Sequence, residues 1–169
     1  MSTPLSTETE KNSLIITMLI SSWEMQNKRL AELITKLSDE ELLSETSPGK
    51  NTGVYLLGHI IAASDGMFAI MGLQDKMYPA LEDIFLRTPD KSGKTFPAID
   101  TLKEYFHTVT NSLNTYFKKM SVVEWLSKHN SVSAEDFAKE PHRNKLNILI
   151  SRTNHLASHL GQMLYLEKK

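Results

Sequence analysis

The stretch from Ala98 to Met120, AIDTLKEYFHTVTNSLNTYFKKM, has the clearest periodicity in the chain. Its large apolar side chains recur at alternating spacings of three and four residues: Ile99, Leu102, Phe106, Val109, Leu113, Tyr116 and Met120. This spacing places them along one side of an α-helix, as on the buried seam of a helical bundle. The stretch therefore predicts a core-facing helix and an all-α fold.

Three further segments have helical periodicity: Glu8–Leu37, Thr52–Leu73 and His142–Glu167. The first carries an apolar stripe that consists of Leu19, Trp23, Leu30, Ile34 and Leu37. No segment shows the strict alternation of a half-buried strand. Four helices of about 20 to 30 residues fit an antiparallel four-helix bundle, which is the fold we predict.

The connections between these helices are predicted to carry short extra helices. Capping-box spacings pair Ser38 with Glu41, Ser121 with Glu124, and Ser133 with Asp136. A proline at position 79 is well placed to open another short helix that extends to residue 87. Because long loops over a rigid scaffold often border a site, residues 74–97 and 121–141 are expected to lie near one.

Length and composition predict one domain over residues 1–169, with residues 1–7 as a flexible N-terminus. Hydrophobic residues make up 40% and charged residues 23%, which excludes a disordered chain. A net charge of −1 without a basic cluster argues against nucleic acid as a partner. We find no signal peptide and no run of about 18 apolar residues, so we expect a cytoplasmic protein without a membrane partner.

The chain contains no cysteine, so it cannot form a disulfide, a thiolate metal site or a cysteine nucleophile. Metal chemistry is thereby left to histidine and the carboxylates. In the last segment, NHLASHLGQ, His155 and His159 are four residues apart, so both point from nearly the same line on a helix. Two imidazoles in this arrangement can bind one metal ion, although such pairs also occur on helix surfaces without a metal.

A catalytic zinc site usually takes three protein ligands. His59 is the best candidate for the third, because it lies in the second long helix beside the small residues Ala62, Ala63 and Gly66. A lone histidine in such a helix is, however, more often a hydrogen-bonded core residue. The other three histidines, His107, His129 and His142, are interpreted as surface or capping residues.

Two motifs together resemble a known family. GVYLLGHIIAASDGMF in the second helix and NHLASHLGQMLYL in the fourth are similar to the DinB/YfiT-like superfamily of metalloenzymes. The resemblance covers nearly the whole chain. It implies a divalent metal ion, most often zinc or nickel, held by His59, His155 and His159 at one end of a four-helix bundle. It also implies a small-molecule substrate and a homodimer, which the small polar face of the last helix permits.

The activities of the family imply three hypotheses. The first is a thiol-dependent S-transferase, which would need an external low-molecular-weight thiol as cosubstrate because the chain lacks cysteine. The second is a metal-dependent hydrolase, and the third is a non-enzymatic bundle with a structural or vestigial site. Many relatives carry an arginine directly after the second histidine of this motif, where this chain has Leu160.

Supporting residues are predicted from their positions. Gln162 lies three residues beyond His159 on the same strip and is a candidate to orient a metal ligand, as is Asn154 beside His155. Asp65 and Glu24 are candidates for a fourth ligand or a general base, but we interpret both as structural. The two tryptophans, Tyr55 and four methionines are assigned to the core: Trp23, Trp125, Met18, Met25, Met67 and Met71.

Overall fold

The computed structural model describes residues 7–167 of the chain. Eight α-helices and a final 3₁₀ turn, Leu164–Leu166, follow one another in that range: α1 Glu8–Lys36, α2 Asp39–Leu43, α3 Gly53–Met71, α4 Leu81–Phe85, α5 Ile99–Phe117, α6 Val122–Trp125, α7 Ala134–Lys139 and α8 Lys145–Met163. Two isolated bridges are the only β pairing in the described range, and the all-α prediction is confirmed. The flexible N-terminus predicted for residues 1–7 lies outside the described residues except for Thr7, which caps α1.

The four long helices form a ring in which α1 packs against α8 and α5, and α3 packs against α5 and α8. The first residue of α3, Gly53, lies against Leu166 just beyond the end of α8, so these two helices run antiparallel. The hydrophobic core draws buried side chains from all four helices. The antiparallel four-helix bundle predicted from the sequence is therefore the observed architecture.

Helix α3 is buried on nearly its whole surface. By length and composition alone it is apolar enough to cross a membrane, so the expectation that no stretch reaches this limit was wrong. Most of the helix is enclosed by the other helices, as expected for the core helix of a bundle.

The seam predicted for α5 is confirmed at its centre and shifts at its end. Leu102, Phe106, Val109 and Leu113 are buried, but the next buried side chain is Phe117 rather than Tyr116. An α-helix has 3.6 residues per turn, so a strict 3.5-residue pattern drifts away from the core along a straight helix. The predicted apolar positions therefore match the buried face of α5 for about four turns and then leave it.

Local capping signals set the helix starts. The boxes Ser38–Glu41 and Ser121–Glu124 form with both reciprocal hydrogen bonds, and Ser133 accepts the amide of Asp136. The last long helix begins at Lys145 rather than His142, because the side chain of Asn144 accepts the amide of Asn147 at 3.0 Å and caps it there. It ends at Met163, where the backbone tightens into the 3₁₀ turn.

Helix α1 is held against α5 by buried polar contacts as well as by its apolar stripe. Trp23 Nε1 donates to Asn114 Oδ1 at 3.0 Å, and Thr110 Oγ1 donates to Asn27 Oδ1 at 3.2 Å. The core assignment of two methionines on this helix was wrong: Met18 and Met25 are 61% and 45% exposed. They lie on the outer face of α1, while Trp125, Tyr55, Met67 and Met71 are buried as predicted.

The long connection after α3 is fastened to that helix by a buried carboxylate. Asp65 is 1% exposed and accepts the backbone amides of Met77 at 2.8 Å and Tyr78 at 3.0 Å. Further along, the hydroxyl of Tyr55 donates to the carbonyl of Thr88 at 2.7 Å. These two anchors hold α4 against α3 beside His59.

Candidate metal centre

The three histidines singled out in the sequence converge where α3 meets α8. His155 Nε2 lies 3.0 Å from His59 Nε2 and 3.1 Å from His159 Nε2. One ligand nitrogen from each ring falls within 4.8 Å of the other two. All three side chains are half-buried, so each is drawn from bulk water yet reachable from it.

This spacing suits a divalent metal ion. Zinc–nitrogen distances of 2.0–2.1 Å and tetrahedral angles place neighbouring ligand nitrogens about 3.3 Å apart. The observed separations of 3.0 and 3.1 Å differ from that value by a few tenths of an ångström. Two of the three separations thus suit one ion, and the third pair of nitrogens lies within 4.8 Å. The three-histidine group could therefore hold an ion with at least one coordination position left open.

His59 is oriented by a backbone carbonyl at the end of α4. Its Nδ1 lies 2.8 Å from the carbonyl oxygen of Phe85, which can only accept, so Nδ1 carries the proton and Nε2 keeps its lone pair. The Phe85 ring packs directly on Gly58, where any Cβ would overlap it. Glycine at position 58 thus permits the approach that places the Phe85 carbonyl at His59.

His159 is oriented by the predicted supporting residue Gln162. The side-chain oxygen of Gln162 lies 3.1 Å from His159 Nδ1 and accepts its proton, which directs the lone pair of Nε2 into the cluster. Asn154, the second candidate, is exposed and forms no hydrogen bond with the histidines among the described residues. The structure therefore places Gln162 beside the site and Asn154 away from it.

Burial keeps two of the imidazoles neutral. It lowers the pKa of His155 to about 4, with smaller contributions from the charges of His159, His59 and Arg152. Burial also lowers the pKa of His59, and the hydrogen bond to Phe85 opposes that shift in part. Neutral imidazole is the form that ligates a metal, so these two nitrogens are available at neutral pH.

No Asp or Glu among residues 7–167 joins the histidine cluster. Asp65 is bound to the connection after α3, and Glu24 forms an ion pair at 3.0 Å with Lys118 at the end of α5. Both carboxylates thus have the structural roles expected of them. A bound ion would keep its full charge at this site, because neutral imidazoles do not offset it.

The remaining histidines lie outside the cluster. His107 and His142 are exposed, in agreement with their assignment as surface or capping residues. His129 is 8% exposed and so is not a surface residue, but its Nδ1 accepts the backbone amide of Ser131 at 3.2 Å, as a capping side chain does. The loop that carries His129 folds back on the end of α3, where the amide of Asn130 donates to the carbonyl of Ile70 at 2.8 Å. This long-range contact buries an imidazole within a polar loop.

A cleft of about 480 Å³ opens beside the histidines and was not predicted as a unit from the sequence. Its walls come from the connection between α2 and α3 and from the end of α8: Thr46, Ser47, Gly49, Lys50, Asn51, His159, Gln162 and Tyr165. The turn-forming residues of this connection were visible in the sequence, but their position beside α8 depends on tertiary packing. A small polar molecule can reach the cluster through this cleft.

Comparison with known proteins agrees with this architecture. The family model of the DinB superfamily matches residues 22–163. A solved structure described as a conserved protein from Enterococcus faecalis matches with a TM-score of 0.62 at 15% identity, over 89% of this chain and 93% of that one. This second likeness concerns the fold alone. A search of curated proteins finds no significant match.

The family match spans more than four-fifths of the chain and includes all three histidines. The helical bundle and the three-histidine group are compatible with that match. This chain belongs to the DinB superfamily.

Proposed function

We propose that His59, His155 and His159 hold a divalent metal ion, zinc or nickel, and that the protein is an enzyme of the thiol-dependent S-transferase type. The observation that carries this proposal is the convergence of three imidazole nitrogens beside an open polar cleft. Both ions accept imidazole ligands readily. The substrate is a small electrophilic molecule, and the site of action is the cytoplasm.

Each part of the centre has a defined role in this proposal. When bound, the ion supplies Lewis acidity that favours the deprotonated form of a ligand in its open position. Phe85 and Gln162 hold the rings of His59 and His159 in the tautomer that ligates through Nε2. The cleft next to His159 admits the substrate and the thiol.

Thiol transfer suits the surroundings of the cluster better than hydrolysis does. A metallohydrolase commonly uses a nearby carboxylate as general base, and no described carboxylate joins this cluster. If an ion is bound, it would favour loss of the thiol proton to solvent without such a base. In the proposed transfer the thiol sulfur bonds to the electrophilic carbon, and the leaving group departs with the bonding electron pair. Because the chain has no cysteine, the thiol must be a free cosubstrate.

An assay with a panel of low-molecular-weight thiols and electrophiles tests the proposal. Zinc-loaded and nickel-loaded protein should consume thiol and form the S-conjugate, and His59→Ala should abolish this turnover. The matched control is His107→Ala, which removes an exposed histidine outside the cluster and should leave turnover unchanged. Absence of conjugate with every thiol would overturn the transferase.

The same preparations separate the alternatives. Thiol-independent cleavage of esters or amides would identify a hydrolase. A non-enzymatic bundle predicts no turnover of either kind, with His155→Ala/His159→Ala lowering stability or changing nothing. The homodimer implied by the family resemblance is tested by the mass of the protein in solution.

A further inference from the structure

The side chain of Arg152 is a half-buried cation next to the histidine cluster. It lies three residues before His155 on α8, so the two side chains leave the same face of the helix one turn apart. Its positive charge contributes to the lowered pKa of both His59 and His155, which places the guanidinium within electrostatic range of both rings. Arg152 therefore borders the site on the side away from Gln162.

This guanidinium has no partner among residues 7–167. No hydrogen bond or ion pair joins Arg152 to any side chain or carbonyl in that range, although ten other ion pairs form there. Burial lowers the pKa of its guanidinium. A charge that is partly removed from water is costly unless an opposite charge compensates it.

The surface of α3 that faces Arg152 carries only small side chains. Since α3 and α8 run antiparallel and His59 meets His155, one turn further along α3 brings Ala62 and Ala63 to the level of Arg152. One turn beyond them, a Cβ added at Gly66 would meet no atom within 4 Å. Small side chains therefore line α3 opposite the unpaired cation.

The net positive charge of the centre indicates what kind of group would pair with Arg152. Three neutral imidazoles, a divalent ion and a guanidinium carry three positive charges, and no described carboxylate joins the cluster. We propose that Arg152 binds an oxyanion, a carboxylate or phosphate group, of the substrate or thiol that reacts at the three-histidine centre. The planar guanidinium can donate two parallel hydrogen bonds to such a group. This proposal rests on the proposed function and names the substrate class for that site.

Anion titration tests this role without relying on turnover. Malonate and inorganic phosphate are titrated by calorimetry into metal-free and zinc-loaded protein, and the zinc content of every sample is measured beforehand. Arg152→Gln should weaken binding of the better probe at least tenfold in both forms. Arg152→Lys keeps the positive charge but loses the two parallel donors of the guanidinium. Its affinity for the probe should lie between that of the unmodified protein and that of Arg152→Gln. The preferred probe distinguishes a carboxylate from a phosphate ligand.

Two control variants identify the cation responsible. Arg29→Gln removes an exposed guanidinium on α1 and should leave anion binding unchanged. Lys50→Gln removes the cation that lines the cleft and should have a smaller effect than Arg152→Gln. Unchanged binding in Arg152→Gln, or a loss confined to Lys50→Gln, would overturn the proposal.

The zinc measurement tests the proposed metal centre separately from the proposed anion binding by Arg152. Protein that retains no zinc would contradict the proposed function, and the titration of that metal-free protein still decides whether Arg152 binds anions. Protein that retains zinc but binds both probes equally well with and without Arg152 would contradict the further inference alone.

Discussion

Replacing Gly58 by alanine tests how the fold positions the centre. Gly58 is buried in α3, and a Cβ there would overlap the ring of Phe85. The Phe85 ring is 0% exposed, so it cannot swing into solvent without vacating its place in the core. Its backbone carbonyl accepts the Nδ1 proton of His59 at 2.8 Å, so moving Phe85 also disturbs a histidine of the cluster.

Both effects have an expected size. Overpacking a well-filled core costs about 1–3 kcal/mol, whereas alanine in place of glycine within a helix contributes about 1 kcal/mol of stability. We therefore expect Gly58→Ala to lower the free energy of unfolding by up to about 2 kcal/mol. Loss of a hydrogen bond that orients a metal ligand typically lowers metal affinity by about 10- to 100-fold, and we expect about tenfold here.

Gly66→Ala is the matched control, because it lies in the same helix and its added Cβ would meet no atom within 4 Å. It should leave zinc affinity unchanged and raise stability by up to about 1 kcal/mol. Urea unfolding of metal-free protein and zinc titration against a competing chelator measure the two quantities. Equal stability and equal zinc affinity in Gly58→Ala and Gly66→Ala would refute the role assigned to Phe85.

Three further predictions concern residues around the centre. Gln162→Leu removes the acceptor for His159 Nδ1 at 3.1 Å and should weaken zinc binding about tenfold in the same chelator competition. The folded-state pKa of His155 is about 4, below its ordinary 6.5, so metal-free protein should lose on the order of 2 kcal/mol of stability as the pH falls from 6.5 to 4 in urea unfolding experiments. Asp65→Asn replaces the carboxylate that accepts two loop amides and should lower the free energy of unfolding by about 2 kcal/mol at pH 7.

Each of these predictions has its own control. Asn154→Leu changes an exposed amide on α8 and should leave zinc affinity intact, whereas an equal loss in both amide variants would exclude a specific role for Gln162. His155→Gln cannot titrate, so its stability should fall less with pH than that of the unmodified protein; parallel curves would contradict the assigned shift. Asp75→Asn alters an exposed carboxylate and should be neutral, and equal stabilities of the two aspartate variants would disprove the anchoring role of Asp65.

Features determined by neighbouring residues could be predicted from the sequence. The capping pairs that begin α2 and α6 each lie within four residues of chain, so their hydrogen bonds form wherever the helix starts. The heptad-like pattern of α5 gave the buried face correctly until Tyr116, where helical drift moves the core position to Phe117. Local signals of this kind identified the bundle and its short extra helices.

Features produced by distant contacts could not be predicted in the same way. His59 and His155 are 96 residues apart. The small residues beside His59 made it the best candidate for a third ligand, and the family resemblance implied that the two histidines share one metal ion. The group that accepts the Nδ1 proton of His59 is a backbone carbonyl, and no side-chain pattern in the sequence predicts its position. His129 is buried because its loop packs on the end of α3. No local pattern in the sequence indicates that Arg152 lacks a partner among the described residues.

The metal content of protein purified without a histidine tag shows directly whether His59, His155 and His159 bind an ion. We expect close to one zinc or nickel ion per chain in the unmodified protein and in His107→Ala, and little or none in His59→Ala. Adding back each metal to dialysed protein controls for loss during purification. Unmodified protein that holds no metal after this addition, or His59→Ala that retains as much as His107→Ala, would contradict the three-histidine centre.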